Sequence, residues 1–162
     1  MKVARFEKVS KNRFLEDLSV LGIADAIEYE DIVLPQRATS GSAGYDFYSP
    51  VEVLLKPGES CRIPSGIRCR IDQEYVLQLY PRSSLGFKYR MRLLNTVGII
   101  DSDYYNADNE GHIIVGVVNE GDRELLIRKN DRFVQGVFYR FFLAEEEEEN
   151  SRERHGGFGS TN

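Results

Sequence analysis

The stretch LLNTVGIIDSDYYNADNEGHI, residues 93–113, puts an amide side chain, a glycine bend, aromatic rings and two nearby carboxylates close together in the chain. Two apolar runs meet near Val97 and Gly98, and a β-hairpin there exposes backbone N–H and C=O groups at its bend. Those groups, with the Asn95 amide, can read the polar edge of a base much as a neighbouring strand would. Asp101 and Asp103 stand two apart and share one face if they lie in a strand. A carboxylate within hydrogen-bond reach of a water acts as a general base, contributing typically about 10²–10⁴-fold in rate. Both aspartates fit equally well as turn formers at a strand end.

Three other internal stretches carry polar chemistry. In PRSSLGFKYR, residues 81–90, Pro81 ends a strand and is followed by Arg82, the hydroxyls of Ser83 and Ser84, Gly86, Lys88 and Arg90. A planar guanidinium beside hydroxyls and free amides suits phosphate oxygens, although the same residues also make an ordinary solvent turn. SAGYDF, residues 42–47, is a glycine turn leading to Asp46 between aromatic neighbours, which also suits a strand start. RKNDRFVQGVFYRF, residues 128–141, places Asp131 and Arg132 in a turn and Gln135 on the core strand that follows. At the carboxy end, RHGGFGSTN (154–162) combines Arg154, Phe158, the hydroxyls of Ser160 and Thr161, and the glycines Gly156, Gly157 and Gly159.

The elements that must position these groups are short strands. Runs such as VEVLLKPGES, CRIPSGIRCRI, EYVLQLYPRSS, HIIVGVV and FVQGVFYRFF alternate apolar residues and are punctuated by Pro-Gly, Ser-Gly and Asn-Glu-Gly turns. That spacing predicts an all-β fold, a barrel or double-sheet jelly roll. Before it, Phe14, Leu15, Leu18 and Leu21 repeat with helical period, predicting one short amphipathic helix capped by Ser10 or Asn12. The texture divides the chain into an amino-terminal extension (1–33), a β core (34–144), and an acidic linker with a glycine-rich tail (145–162). The glutamate run 145–149 repels itself and stays solvated. The 12 residues after Asn150 span about 40 Å when extended, against a radius of gyration of about 15 Å for a domain of this length. The tail is therefore long enough to cross a neighbouring subunit.

Bulk properties narrow the partners. A net charge of −5 argues against charge-driven binding to nucleic acid or an anionic membrane, while allowing a small anion held by local arginines. There is no apolar run of about 18 residues and no apolar signal core after MKVARFEKVS. Cys61 and Cys69 make a framework disulfide improbable in a strand-rich stretch, and a cytoplasmic location is expected. Two cysteines and two histidines show no structural-metal spacing.

In their order along the chain, SAGYDF, PRSSLGF, NTVGIIDSDYY, NDRFVQ and GGFGST closely resemble the five motifs of the homotrimeric dUTP pyrophosphatases. The resemblance implies a jelly-roll-like β-barrel, three subunits with shared active sites, and hydrolysis of dUTP to dUMP and pyrophosphate. That activity keeps uracil out of DNA and supplies dUMP for thymidylate synthesis. Mg²⁺ would be held mainly by the substrate phosphates and water, with no metal ligands from the protein. Carried over by position, Asp101 would activate the attacking water and Asp46 would support it. Asn95 with the backbone of Gly98, Ile99 and Ile100 would read uracil, and Tyr104 would pack on the deoxyribose. Arg82, Ser83, Ser84 and Gln135 would hold phosphates, while Arg154, Phe158, Gly159 and Ser160 would close over the substrate as a lid.

Some positions depart from the family pattern. Glu153 stands where the tail usually has arginine, and Arg154 is favoured over Arg152 as its replacement. Asn106–Asn109 is an insertion, and Asn162 replaces a closing glycine. Two alternatives share the scaffold, a dCTP deaminase-like enzyme and a non-catalytic nucleotide sensor. The deaminase needs a glutamate where this chain has Gly116, and the sensor would tolerate loss of Asp101. Deleting residues 151–162 is expected to lower dUTP turnover by well over a few-fold in a pyrophosphate-release assay. Turnover within a few-fold of the full chain would remove the lid from the mechanism.

Overall fold

The computed structural model describes residues 1–145. In chain order the elements are β1 (Ala4–Lys8), α1 (Lys11–Val20), β2 (Gln36–Arg37), β3 (Tyr45–Tyr48), β4 (Val53–Leu55), β5 (Ser60–Pro64), β6 (Ile67–Ile71) and β7 (Tyr75–Pro81). There follow α2 (Ser83–Tyr89), β8 (Met91–Leu93), β9 (Gly98–Ile100), β10 (Ile114–Asn119), β11 (Leu125–Ile127) and β12 (Arg132–Arg140). Short 3₁₀ turns occupy Tyr29–Asp31 and Ser102–Asn106. The strands form a five-stranded sheet in the order β2-β3-β12-β7-β9, a three-stranded sheet β5-β10-β8, and the pairs β1-β6 and β11-β4. All of these pairings are antiparallel. The all-β architecture expected from the turn spacing is therefore present. Among the described residues no helix is long and apolar enough to cross a membrane.

Alternation along the strands builds the core. On β10, Val115 and Val117 point inward and are buried, while Ile114, Gly116 and Val118 on the other face are half-buried. On β12 the register shifts between Arg132 and Val134, and this bulge lets the adjacent Phe133 and Val134 both be fully buried. Around them pack Phe47 of β3, Leu77 and Leu79 of β7, Ile63 of β5 and Met91 of β8.

Three local features differ from the expectations of the sequence. The first concerns residues 1–33, whose texture sets them apart from the rest of the chain. Here β1 pairs with β6 from Ala4–Ile71 to Lys8–Ile67, and Val9, Phe14, Leu18 and Ile32 join the same buried core. Phe6 also stacks edge-on against Phe47 at 5.6 Å. Secondly, the segment after Pro81 is the short helix α2 rather than an irregular loop; Leu85 and Gly86 donate to the Arg82 carbonyl, and Leu85 packs on the core. Thirdly, β8 and β9 do not form a hairpin with each other. β8 pairs with β10 and β9 with β7, so the chain switches sheets through Leu94–Val97. A tight bend with Thr96 at φ +67° accomplishes the switch, with Thr96 N–H donating to Leu93 and Val97 N–H to Asn95.

The expected helix is α1. Ser10 caps it by accepting from the Arg13 amide at 3.1 Å. It ends where Gly22, at φ +70°, donates to Ser19 while Ile23 donates to Leu18, the paired bonds of a Schellman terminus. Because Phe14 is fully buried on this helix, Phe14→Ala should cost about 3–5 kcal/mol. Urea denaturation at unchanged m-value measures it; a loss under about 1 kcal/mol would mean that α1 merely rests on the surface.

Candidate active site

The sheet switch after β8 opens a cavity of about 550 Å³. Its floor comes from the three-stranded sheet through Leu93, Ile114, Val115 and Gly116, and from Leu79 of β7. Asn95 and Gly98–Ile100 line it too, with Asp101 and Tyr104 just beyond β9. Among the described residues β9 is the last strand of its sheet, so its side away from β7 has no strand partner there and its amides and carbonyls can meet a planar polar ligand. At Gly98 an added Cβ would stand 3.0 Å from the Leu79 Cβ, so a larger residue would have to push the two strands slightly apart.

Asp101 begins the 3₁₀ turn that follows β9, and its carbonyl accepts from the Tyr104 amide at 3.2 Å. Asp101 is exposed and lines the cavity; Asp103, also exposed, is not among the lining residues. Tyr104 is buried, and its hydroxyl donates to the His112 carbonyl at 2.7 Å. The cavity brings together seven residues that the sequence singles out: Asn95, Gly98, Ile99, Ile100, Asp101, Tyr104 and Gly116.

The expected phosphate-binding residues gather elsewhere. Arg82 and Ser84 line a second cavity of about 300 Å³ with Tyr48, Asn130, Asp131 and Arg132. Buried Asp46 sits between two guanidiniums, 3.5 Å from Arg82 Nε and 3.3 Å from Arg132 Nη1. Gln135 lies in register with Asp46 on one side and Tyr80 on the other. Its Oε1 is 2.5 Å from where a Cβ on Gly44 would stand, so the glycine of SAGYDF makes room for this amide. Ser83 is exposed at the start of α2, whose first amides no helical carbonyl can satisfy. The two cavities share no lining residue. Within one chain β9 and the arginine–serine segment therefore line separate cavities. Arg154, Phe158, Gly159 and Ser160 lie outside the described residues.

The amino-terminal segment contributes a wall that the motifs did not indicate. Asp17, Val20 and Leu21 of the α1 region line the large cavity, as does Arg62 of β5. Asp17 receives a fork from Arg13, Nε to Oδ2 at 3.1 Å and Nη2 to Oδ1 at 2.7 Å, and a contact of 2.5 Å from His112 Nδ1. The fully buried His112 accepts the Gly66 amide on Nε2 at 2.8 Å, which leaves the ring proton on Nδ1, facing Asp17. The available signal was a carboxylate between Phe14 and Leu18 on an apolar helical stripe. Its histidine partner is 95 residues away.

The dUTPase family model matches residues 30–162. The chain belongs to the dUTPase family. It is 42% identical to the deoxyuridine 5'-triphosphate nucleotidohydrolase of Lactococcus lactis subsp. lactis over 148 residues, 89% of this chain and 99% of that protein. The Caulobacter vibrioides (strain NA1000) protein of the same name is 37% identical, covering 81% of this chain and 86% of its own. The crystal structure of the Streptococcus mutans dUTPase superposes with a TM-score of 0.68 at 33% identity, covering 86% of this chain and 98% of that one. A Staphylococcus bacteriophage 80alpha dUTPase solved with dUpNHpp shares the fold, at a TM-score of 0.66 and 20% identity, over 93% of this chain and 100% of its own.

Burial alone would raise the Asp17 carboxyl, but the hydrogen bonds from His112 and Arg13 hold it below its ordinary value of 3.8. A depressed folded value stabilises above the unfolded one, and that contribution is lost as pH falls through the folded value. The stability gap between the wild type and Asp17→Asn should therefore be constant above about pH 5 and shrink below about pH 4. Denaturant midpoints over that range test it; a gap independent of pH would mean that Asp17 gains nothing from its partners.

Proposed function

We propose that this dUTPase-family chain hydrolyses dUTP to dUMP and pyrophosphate, the activity named for its relatives in Lactococcus lactis and Caulobacter vibrioides. The observation that carries the reading is one cavity in which an edge strand, an amide, an aromatic ring and an exposed carboxylate meet. Uracil pairs with the free backbone edge of Gly98–Ile100 and the Asn95 amide. Tyr104 packs on the deoxyribose and leaves no room for a 2′-hydroxyl.

Asp101 orients a water and takes its proton as the water attacks phosphorus in line. Arg82, the hydroxyls of Ser83 and Ser84, and Gln135 offset the charge that develops on the phosphate oxygens. Asp46 holds the Arg82 guanidinium in place. Mg²⁺ bound by the phosphate oxygens of the triphosphate and by water would supply further charge neutralisation. Two cavities without a common residue support a homotrimer in which one subunit's β9 faces another's Arg82 loop. The tail of Arg154, Phe158, Gly159 and Ser160 closes over the nucleotide, with Phe158 on the uracil ring. Product dUMP then leaves for thymidylate synthesis in the cytoplasm, and uracil is kept out of DNA.

Deamination of dCTP is disfavoured at Gly116, where even an added Cβ would lie 2.8 Å from Leu94 Cδ1, so a glutamate there would displace Leu94. In Asp101→Asn, dUTP binding should stay near that of the wild type while dUMP formation falls at least about a hundredfold. Wild-type turnover in that variant would assign the base to another residue. Run with Mg²⁺ across dUTP, dTTP, dCTP and UTP, the same assay should show activity on dUTP alone.

A further inference from the structure

A carboxylate on the buried face of a small helix is an expensive choice. Burying a charge costs several kcal/mol unless it is paired, and an apolar residue of similar size often serves stability as well or better. Asp17 nevertheless sits between Phe14 and Leu18, fully engaged by Arg13 and His112, and faces the large cavity. What the arrangement fixes is a position. His112 is anchored by its Nε2 to the Gly66 amide and by its Nδ1 to Asp17. Its carbonyl receives the Tyr104 hydroxyl at 2.7 Å and the Asn109 amide at 3.3 Å, while Asn109 also donates to the Tyr104 oxygen at 2.8 Å.

Two further ties join the same loop to the amino-terminal segment. Glu110 accepts the Ser10 amide and hydroxyl at 2.8 and 2.6 Å, and Tyr105 donates to Glu7 at 2.7 Å. Tyr104 and Asp101 are carried by this loop, so its placement decides where the aromatic wall and the carboxylate stand relative to β9. We propose that Asp17, acting through His112, is a positioning residue that fixes the Tyr104 ring and thereby sets discrimination between deoxyribose and ribose. This rests on the reading of the cavity as the dUTP site. Excluding one extra hydroxyl demands a wall that does not yield, and a displacement of about 1 Å in an active site is enough to matter greatly. An asparagine at position 17 keeps the shape but loses the charge that binds Arg13 and His112 together.

The experiment measures kcat and KM for dUTP and UTP in the wild type, Asp17→Asn and Asn109→Ala, at a temperature well below each melting midpoint. Asn109→Ala cuts the loop end of the chain and leaves the buried ion pair intact, so it covers the case in which Asp17→Asn fails to fold. The expected result is a dUTP-to-UTP ratio of kcat/KM at least about tenfold lower in Asp17→Asn and several-fold lower in Asn109→Ala, mostly through gained activity on UTP. A purely structural role would lower the melting midpoint and scale both substrates equally. Unchanged ratios in the folded variants, with a selective wild type, would overturn this inference alone. A wild type that does not distinguish dUTP from UTP would overturn the assignment of Tyr104 as the sugar wall, and this inference with it.

Discussion

One unpaired strand edge governs the arrangement of this molecule. β9 is three residues long, bonded to β7 on one side and, among the described residues, open on the other. Backbone amides removed from water need partners, and an exposed edge invites whatever can supply them. Here the edge does not face bulk solvent along a flat sheet. The chain leaves β8 in one sheet and enters β9 in another, so the open edge lines a recess between the two. A hairpin would have paired β8 with β9 and used up these groups. The left-handed bend at Thr96 keeps them available, and the Asn95 amide stands at the same bend.

At the second cavity a buried carboxylate holds two guanidiniums close together. Asp46 lies within 3.5 Å of both Arg82 and Arg132 while Gln135 flanks it in register. The bulge in β12 sits between Arg132 and Val134, and the Arg82 amide donates to the Phe133 carbonyl at that point. A backbone irregularity thus aims one arginine and ties down the start of the loop bearing the other. The overall charge of −5 disfavours general polyanions, so any attraction for a small anion has to come from local geometry such as this pair of arginines.

Much of this was legible in the sequence, and the rest was not for identifiable reasons. Strand alternation, the turn residues and the Ser10-capped helix report local preferences, and all of them survive in the fold. The gathering of Asn95, Gly98–Ile100, Asp101 and Tyr104 was legible because they lie within ten residues along the chain. β1 was missed because ARFEK alternates weakly, and its strand character comes from pairing with β6 more than 60 residues later. α2 was read as a loop because Pro81 and a central glycine outweigh the short apolar stripe of Leu85 and Tyr89. The β8–β9 bend looked like a hairpin because two apolar runs around a glycine carry no record of which sheet each run joins. The Asp17–His112 pair could not be seen from spacing at all.

The amino-terminal segment changes how the site should be compared with its relatives. The dUTPase family model begins at residue 30, yet Asp17, Val20 and Leu21 form part of the cavity wall. The motif residues line the cavity, but the wall behind Tyr104 is held by contacts that cross from the extension to the loop. Those contacts are a buried hydrogen bond from a neutral histidine to a carboxylate, a doubly satisfied carboxylate on the helix cap and a tyrosine–glutamate bond. Each requires β1 and α1 to be docked, and docking is enforced by the burial of Val9, Phe14 and Leu18 in the common core. Hydrophobic packing therefore sets the helix, the helix sets a carboxylate, and the carboxylate sets a histidine whose carbonyl holds the aromatic ring. Selectivity in such a site is a property of the whole packed chain rather than of the motifs alone.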